Sequence, residues 1–155
     1  MFSHVHGPSW SVATLTSNER VTRWRSHWPG VILQMAPDPA GARERLETGQ
    51  RHLAEAEQLL RLEFPDVALL LAEAALVNGA DAVLRLHGFQ VQSHAARFGY
   101  PWLPFAYTGN PGLLARIRTT RNATQYEAAI VSGDLACEAL RLARGALTAV
   151  AGTVM

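Results

Sequence analysis

The sequence predicts an all-α protein, an antiparallel up-and-down bundle of four main helices behind an irregular N-terminal leader. Three observations lead there. Apolar residues recur at steps of three, four and seven over long stretches. Proline, serine, aspartate and glycine stand where those stretches begin and end. No stretch alternates apolar and polar residues convincingly enough to read as a half-buried strand. Helices joined by short connections fold back on one another, and a bundle follows.

The leader covers residues 1–38 and the bundle residues 39–155. The leader holds Trp10, Trp24 and Trp28, several prolines and no sustained helical period. Its run Arg20-Val21-Thr22-Arg23-Trp24-Arg25 mixes arginine with an aromatic, as a nucleic-acid arm does. An unstructured leader, a docking strap, or a stretch ahead of a true start at Met35 has the same composition.

The first main helix opens at Asp38, which caps, and Pro39, which suits a first turn. Ala42, Leu46, Leu53, Ala56 and Leu60 form its apolar line over about 20 residues. Pro65 and Asp66 begin the second, which runs to His87 and ends at Gly88. It is apolar almost all round, so it belongs at the centre. Glu73, Asn78 and Asp81 are its polar exceptions, read as facing solvent or a dimer partner. A short helix near residues 94–98 follows. Gly99-Tyr100-Pro101-Trp102-Leu103-Pro104-Phe105 then forms a loop over one end of the core. Pro111 and Gly112 precede the third main helix, with Leu113, Leu114 and Ile117. Ser132 caps the last, whose apolar line is Leu135, Ala139, Leu142, Ala143, Ala146 and Val150.

Composition narrows the function classes. The chain has 155 residues and 48% hydrophobic residues, enough for one packed core. A formal net charge of +1 gives no global field for nucleic acid or an anionic membrane, so a nucleic-acid role needs a local patch. The single cysteine, Cys137, excludes an internal disulfide and reads as a small buried thiol. No His/Cys cluster has zinc spacing, and His4 and His6 in the leader are a weak signal, so no metal or cofactor is expected. The apolar run Val67–Val77 is interrupted by Glu73 and too short for a bilayer, and no secretory signal is visible. A cytoplasmic location without a membrane partner is the expectation.

Chemistry concentrates in Arg121-Asn122-Ala123-Thr124-Gln125-Tyr126. At about 100° per residue from Leu113, Ile117 lies at about 40°, Arg121 at about 80° and Leu114 at about 100°. Arg121 therefore falls inside the apolar arc, where a charge is costly unless paired or used. Arg116 and Arg118 fall outside the arc and are expected to reach water. Tyr126 is about 140° from Arg121, so the two converge only if the helix breaks between them or if they meet copies from another subunit. Asn122 tolerates the left-handed conformation that ends helices, which makes a break credible. In the structural reading Arg121 pairs with Glu73 or Asp81, and Tyr126 packs its ring with its hydroxyl satisfied. In the functional reading its guanidinium grips a phosphate, and Asn122 adds a neutral hydrogen-bonding group.

A long helix, an apolar helix closing in Leu86-His87-Gly88-Phe89-Gln90-Val91, a short His94 segment, Arg121-Asn122 and a final alanine-rich helix together resemble the HEPN domain. The resemblance covers about residues 40–151. It implies an up-and-down helical bundle that commonly dimerises. Many of its members are metal-independent endoribonucleases of toxin–antitoxin or defence systems. Their motif is an arginine, a variable, often polar residue, three more residues and a histidine. Two copies of the motif meet at the dimer interface and line an RNA cleft. By that motif Arg121 and Asn122 match the first two positions, and Tyr126 stands where the histidine should be. A phenol with a pKa near about 10 is a poor base at neutral pH, where histidine exchanges protons readily. It could still donate a hydrogen bond to a phosphate. The site expected from the resemblance is thus Arg121, Asn122 and Tyr126. The resemblance implies an RNA- or nucleotide-binding module with variant or lost endoribonuclease activity. The alternatives are an active ribonuclease or a non-catalytic dimeric scaffold. The implied partners are a second copy, RNA or a nucleotide, and an antitoxin or nucleotidyltransferase. Ala128 replaces the second tyrosine that nucleotidyltransferase antitoxins modify in one branch. His87 and His94 lie outside the motif, and nothing in the sequence aims them at Arg121.

Overall fold

Proline and aspartate set the main frame, and the frame is mostly helical as expected. The computed structural model describes residues 15–127 and 131–155, except for the side chains of 124–127. The order is α1 (Ser17–His27), β1 (Ile32–Gln34), α2 (Pro39–Arg61), α3 (Pro65–His87), β2 (Phe89–Val91), α4 (His94–Phe98), α5 (Phe105–Thr108), α6 (Pro111–Glu127) and α7 (Gly133–Val154). The Asp38 carboxylate accepts from the Gly41 amide at 2.9 Å, satisfying one orphan donor of α2. The Ser132 hydroxyl does the same for the Leu135 amide of α7 at 3.1 Å. Gly88 ends α3 in the left-handed conformation, φ 88°. A side chain there would also collide with the Met35 carbonyl, so two constraints ask for glycine at once.

Three long helices build the core. A three-residue turn after Arg61 folds α3 back along α2, and α7 packs against both. Their contact surfaces are made of small residues. Ala42, Gly49 and Ala56 of α2 are buried, as are Ala68, Ala72, Ala75 and Ala82 of α3 and Ala136, Ala139, Ala143 and Ala146 of α7. Small side chains let helix backbones approach closely. At Gly49 an added Cβ would lie 3.2 Å from the Ala75 carbonyl oxygen. Leu46, Leu69, Leu76, Leu84 and Val150 fill the remaining space. α3 is long and apolar enough to cross a bilayer, unlike the shorter run within it, but most of it is buried against its neighbours. α6 adds buried Leu114 and Ile117 and touches chiefly α3.

The leader corrects the expectation of irregularity as far as it is described. Thr16 caps α1 by accepting from the Glu19 amide at 3.1 Å. Trp24 is buried, donates its indole N–H to the Ala96 carbonyl at 2.7 Å and meets Phe89 and Tyr100 edge-on. An arginine-rich arm offering Trp24 to bases is therefore not what forms. β1 pairs with β2 antiparallel, Ile32 opposite Val91 and Gln34 opposite Phe89. No strand was expected, because three residues are too few for an alternating pattern to show. The segment continues the zipper: the Met35 amide donates to Gly88 and the Asp38 amide to Arg85, so carbonyls at the C-terminus of α3 gain partners. His4, His6 and Trp10 lie outside the described residues.

Two further expectations are corrected. Glu73 and Asn78 do not face solvent; both are buried, with partners on α6 and α2 respectively. Cys137 is exposed. It lies one step beyond Ala136 on the outer side of a helix whose inner face is already filled by Leu135, Ala136, Ala139 and Leu140.

Gly79 and Gly145 separate tight packing from helix propensity. A Cβ on Gly79 would meet the Tyr107 hydroxyl and lie 2.8 Å from Leu147, whereas one on Gly145 meets nothing within 4 Å. Gly79→Ala is expected to lower unfolding free energy by about 1–3 kcal/mol through overpacking. Gly145→Ala should raise it by about 0.5–1 kcal/mol through helix propensity. Urea melts of the two variants check both signs.

Candidate functional site

A buried carboxylate organises the polar chemistry of this molecule. Glu73 sits in the middle of apolar α3 with its side chain only 6% exposed. A charge there is costly unless cations come to it. Two do, both from α6. Arg118 Nη1 donates to Glu73 Oε1 at 3.2 Å, and Arg121 Nε stands 3.3 Å from the same oxygen. The structural pairing of Arg121 with Glu73 thus forms, but it is not exclusive. Arg118 was expected in water and is only 35% exposed. At about 140° on the helical wheel it lies roughly 40° beyond Leu114, and a long arginine stem spans that gap.

His94 completes the corner. Its Nε2 lies 3.5 Å from Arg118 Nη1. A guanidinium has only donors, so Nε2 must be the acceptor and the proton must sit on Nδ1. Burial, then the charges of Arg118, Arg97 and Arg121, push the imidazole pKa down to about 4. Arg97, also on α4, is held by Asp81 at 2.7 Å and by the Val91 carbonyl at 2.8 Å. Arg97 and Asp81 cancel, and Glu73 cancels one of the two α6 arginines. Among the described residues one positive charge is left over in this corner.

The corner is also incompletely hydrogen-bonded. Glu73 Oε2, Arg97 Nη1 and Arg121 Nε are buried with no hydrogen-bond partner among the described residues. Buried polar atoms in this condition mark places where a further polar group belongs. A cleft of about 460 Å³ opens between α4, α5 and α6; of the residues in this corner, His94 and Arg118 stand in its wall. Phe98 stacks on Tyr107 at 5.8 Å and forms part of the same wall. The Tyr107 hydroxyl is spent on the Leu76 carbonyl at 2.7 Å, and burial drives its pKa far upward.

The expected triplet is only partly assembled. Arg121 is 28% exposed, close to Glu73, and Asn122 follows it half-buried. The helix does not break at Asn122; α6 runs on through Glu127, so the break needed for positions 121 and 126 to converge within one chain is not made. The side chain of Tyr126 and all of Ala128 lie outside the described residues. His87 goes elsewhere: its Nδ1 lies 2.6 Å from the Tyr100 hydroxyl, within the aromatic group that includes Trp24 and Phe89. Burial lowers the His87 pKa and pushes Tyr100 up to about 12, so both groups are neutral, and the imidazole tautomer sets which of them donates. Sequence reasoning missed Arg118 and His94. Arg118 stands three residues before Arg121, one helical turn away, and that spacing was the available signal.

The imidazole reports on its arginines. Proton NMR should place the His94 pKa near 4, and Arg118→Ala should raise it without restoring the ordinary 6.5, because burial remains. The folded pKa lies below the unfolded one, so the unfolded chain takes up the proton first as pH falls. Stability present above about pH 6.5 is therefore lost progressively down to about pH 4, with no further loss from this group below that. No family model, curated protein or solved structure matches this chain.

Proposed function

We propose that this chain is a HEPN-like four-helix module that binds the phosphate of an RNA or nucleotide at Arg118 and Arg121, without turnover of its own. The observation that carries the reading is the excess of cation over anion: two guanidiniums lean on one oxygen of one buried carboxylate, beside an open cleft. Among the described residues two guanidiniums share one carboxylate, so one of them is left for an incoming anion, which its fixed donors suit. The neutral His94 adds an Nδ1–H donor without a charge of its own.

Turnover is disfavoured by the bases on hand. An imidazole with a pKa of about 4 is too weak a base for proton transfer at neutral pH, and Tyr126 occupies the histidine position of the motif. A homodimer belongs to the same proposal. Leu62, Phe64, Val67 and Leu70 are exposed around the turn between α2 and α3, an apolar surface that a second copy would cover.

The test titrates the purified protein with single-stranded RNA and with a nucleoside monophosphate, following thermal shift and tryptophan fluorescence. Arg118→Ala should weaken binding by about tenfold to a hundredfold, the worth of one charge-assisted contact. Glu73→Gln should tighten binding while lowering stability, because it removes the competing carboxylate and leaves both guanidiniums. A purely structural cluster gives the opposite pattern, with Glu73→Gln and Arg118→Ala changing stability alone and no ligand response in any variant. Incubated with RNA, the wild-type protein should cleave no faster than Arg121→Ala. Sedimentation as a monomer only would remove the dimer from the proposal.

A further inference from the structure

Two arginines account for a phosphate but not for the cleft next to them. Its walls are mainly apolar: Phe98 of α4, Tyr107 of α5, and Leu114 and Ala115 of α6, with His94 and Arg118 the charged or titratable members. Its volume of about 460 Å³ falls in the range of small-molecule sites. A phosphate has no use for such walls. A flat, weakly polar body does, because burying it removes apolar surface from water on both sides.

The walls are also stiff where they are aromatic. Tyr107 is tied to Leu76 through its hydroxyl, wedged against Gly79 and stacked on Phe98 with an interplanar angle of 23°. Tyr107 is itself only 1% exposed and backs the wall, so the aromatic surface a docking ring meets is the half-buried Phe98, and its preformed position needs little ordering. Arg118 belongs to both features: it lines the cleft and reaches Glu73 at its far side. An anionic head and a planar body would therefore have to be joined by a short link.

We propose that this cleft receives the base of a single nucleotide whose phosphate rests on Arg118 and Arg121. The inference rests on the phosphate-binding reading above and adds the ligand's other half. The nucleotide is either free or an unpaired unit of an RNA strand; both present the same base and phosphate. Thr119, on the cleft wall, can meet polar edges of the base.

Ala115 offers a test that leaves every charge in place, since it is an exposed helix residue on the cleft wall. The probes are adenosine 5′-monophosphate, ribose 5-phosphate and a short single-stranded oligouridine, measured by calorimetry against wild type, Ala115→Leu and Arg118→Ala. In wild type the monophosphate should bind about tenfold more tightly than ribose 5-phosphate, the contribution of one stacked base. Ala115→Leu should bring it down to the ribose 5-phosphate level and leave ribose 5-phosphate unchanged. If only the oligonucleotide responds to Ala115→Leu, the base comes from RNA; if the monophosphate responds as well, a free nucleotide suffices. Equal affinity of wild type for the monophosphate and ribose 5-phosphate, together with indifference of the oligonucleotide to Ala115→Leu, overturns the cleft proposal. Binding of ribose 5-phosphate that still depends on Arg118 would then leave the phosphate reading standing. No binding of any probe removes both.

Discussion

One carboxylate in the wrong place explains much of this architecture. Glu73 occupies a helix made mostly of alanine, leucine and valine, and it is nearly inaccessible to water. An unpaired charge there would cost several kcal/mol, more than most single contacts return. The chain meets that demand from a distance of 45 residues, by drawing Arg118 of α6 against α3. Among its described side chains α6 buries only Leu114 and Ile117 well, so that apolar surface alone holds it loosely. Its position on α3 owes much to Coulomb attraction, which is strong in so poorly solvated a corner.

The same arrangement explains why the corner is poised rather than closed. Among the described residues, sharing one oxygen between two guanidiniums leaves the second oxygen without a partner and one arginine without full compensation. A second acid beside Glu73 would have completed the network and made it inert. In the proposed reading the missing negative charge is the ligand's. The depressed basicity of His94 belongs to the same corner: burial first, and then three guanidiniums, oppose its protonation, so in the proposed reading it meets an anion as a neutral donor.

Much of the helical frame was legible because its signals are local. Asp38-Pro39, Pro65, Gly88 and Ser132 act on the backbone within four residues of themselves, and each stands where the helix begins or ends. Every residue of the apolar line expected for α7 is buried, and Ala136, Leu140, Leu147 and Val154 widen it. What stayed hidden depends on distant partners. α1 has weak apolar periodicity, and its one buried residue, Trp24, bonds to a partner 72 positions away. The three-residue strands exist because each supplies the other's hydrogen bonds. At the site, Arg121 was legible as a charge on an apolar face. Arg118 was not, because a wheel places Cβ atoms and not the ends of long side chains. His94 could not be found at all, since nothing within its own five-residue helix points to α6.

The bond from the Trp24 indole to the Ala96 carbonyl has a consequence for that last residue. A helix as short as α4 has no stability of its own in water. It is held at one end by the Ser93 cap, in the middle by Arg97 on Asp81, and from outside by Trp24. His94 and Phe98 ride on it, one at the guanidinium corner and the other in the aromatic wall. The orientation of both therefore depends in part on a helix whose contact lies 72 positions earlier in the chain. Whatever dislodges α1 unfastens the cleft as well, without touching a single residue that lines it.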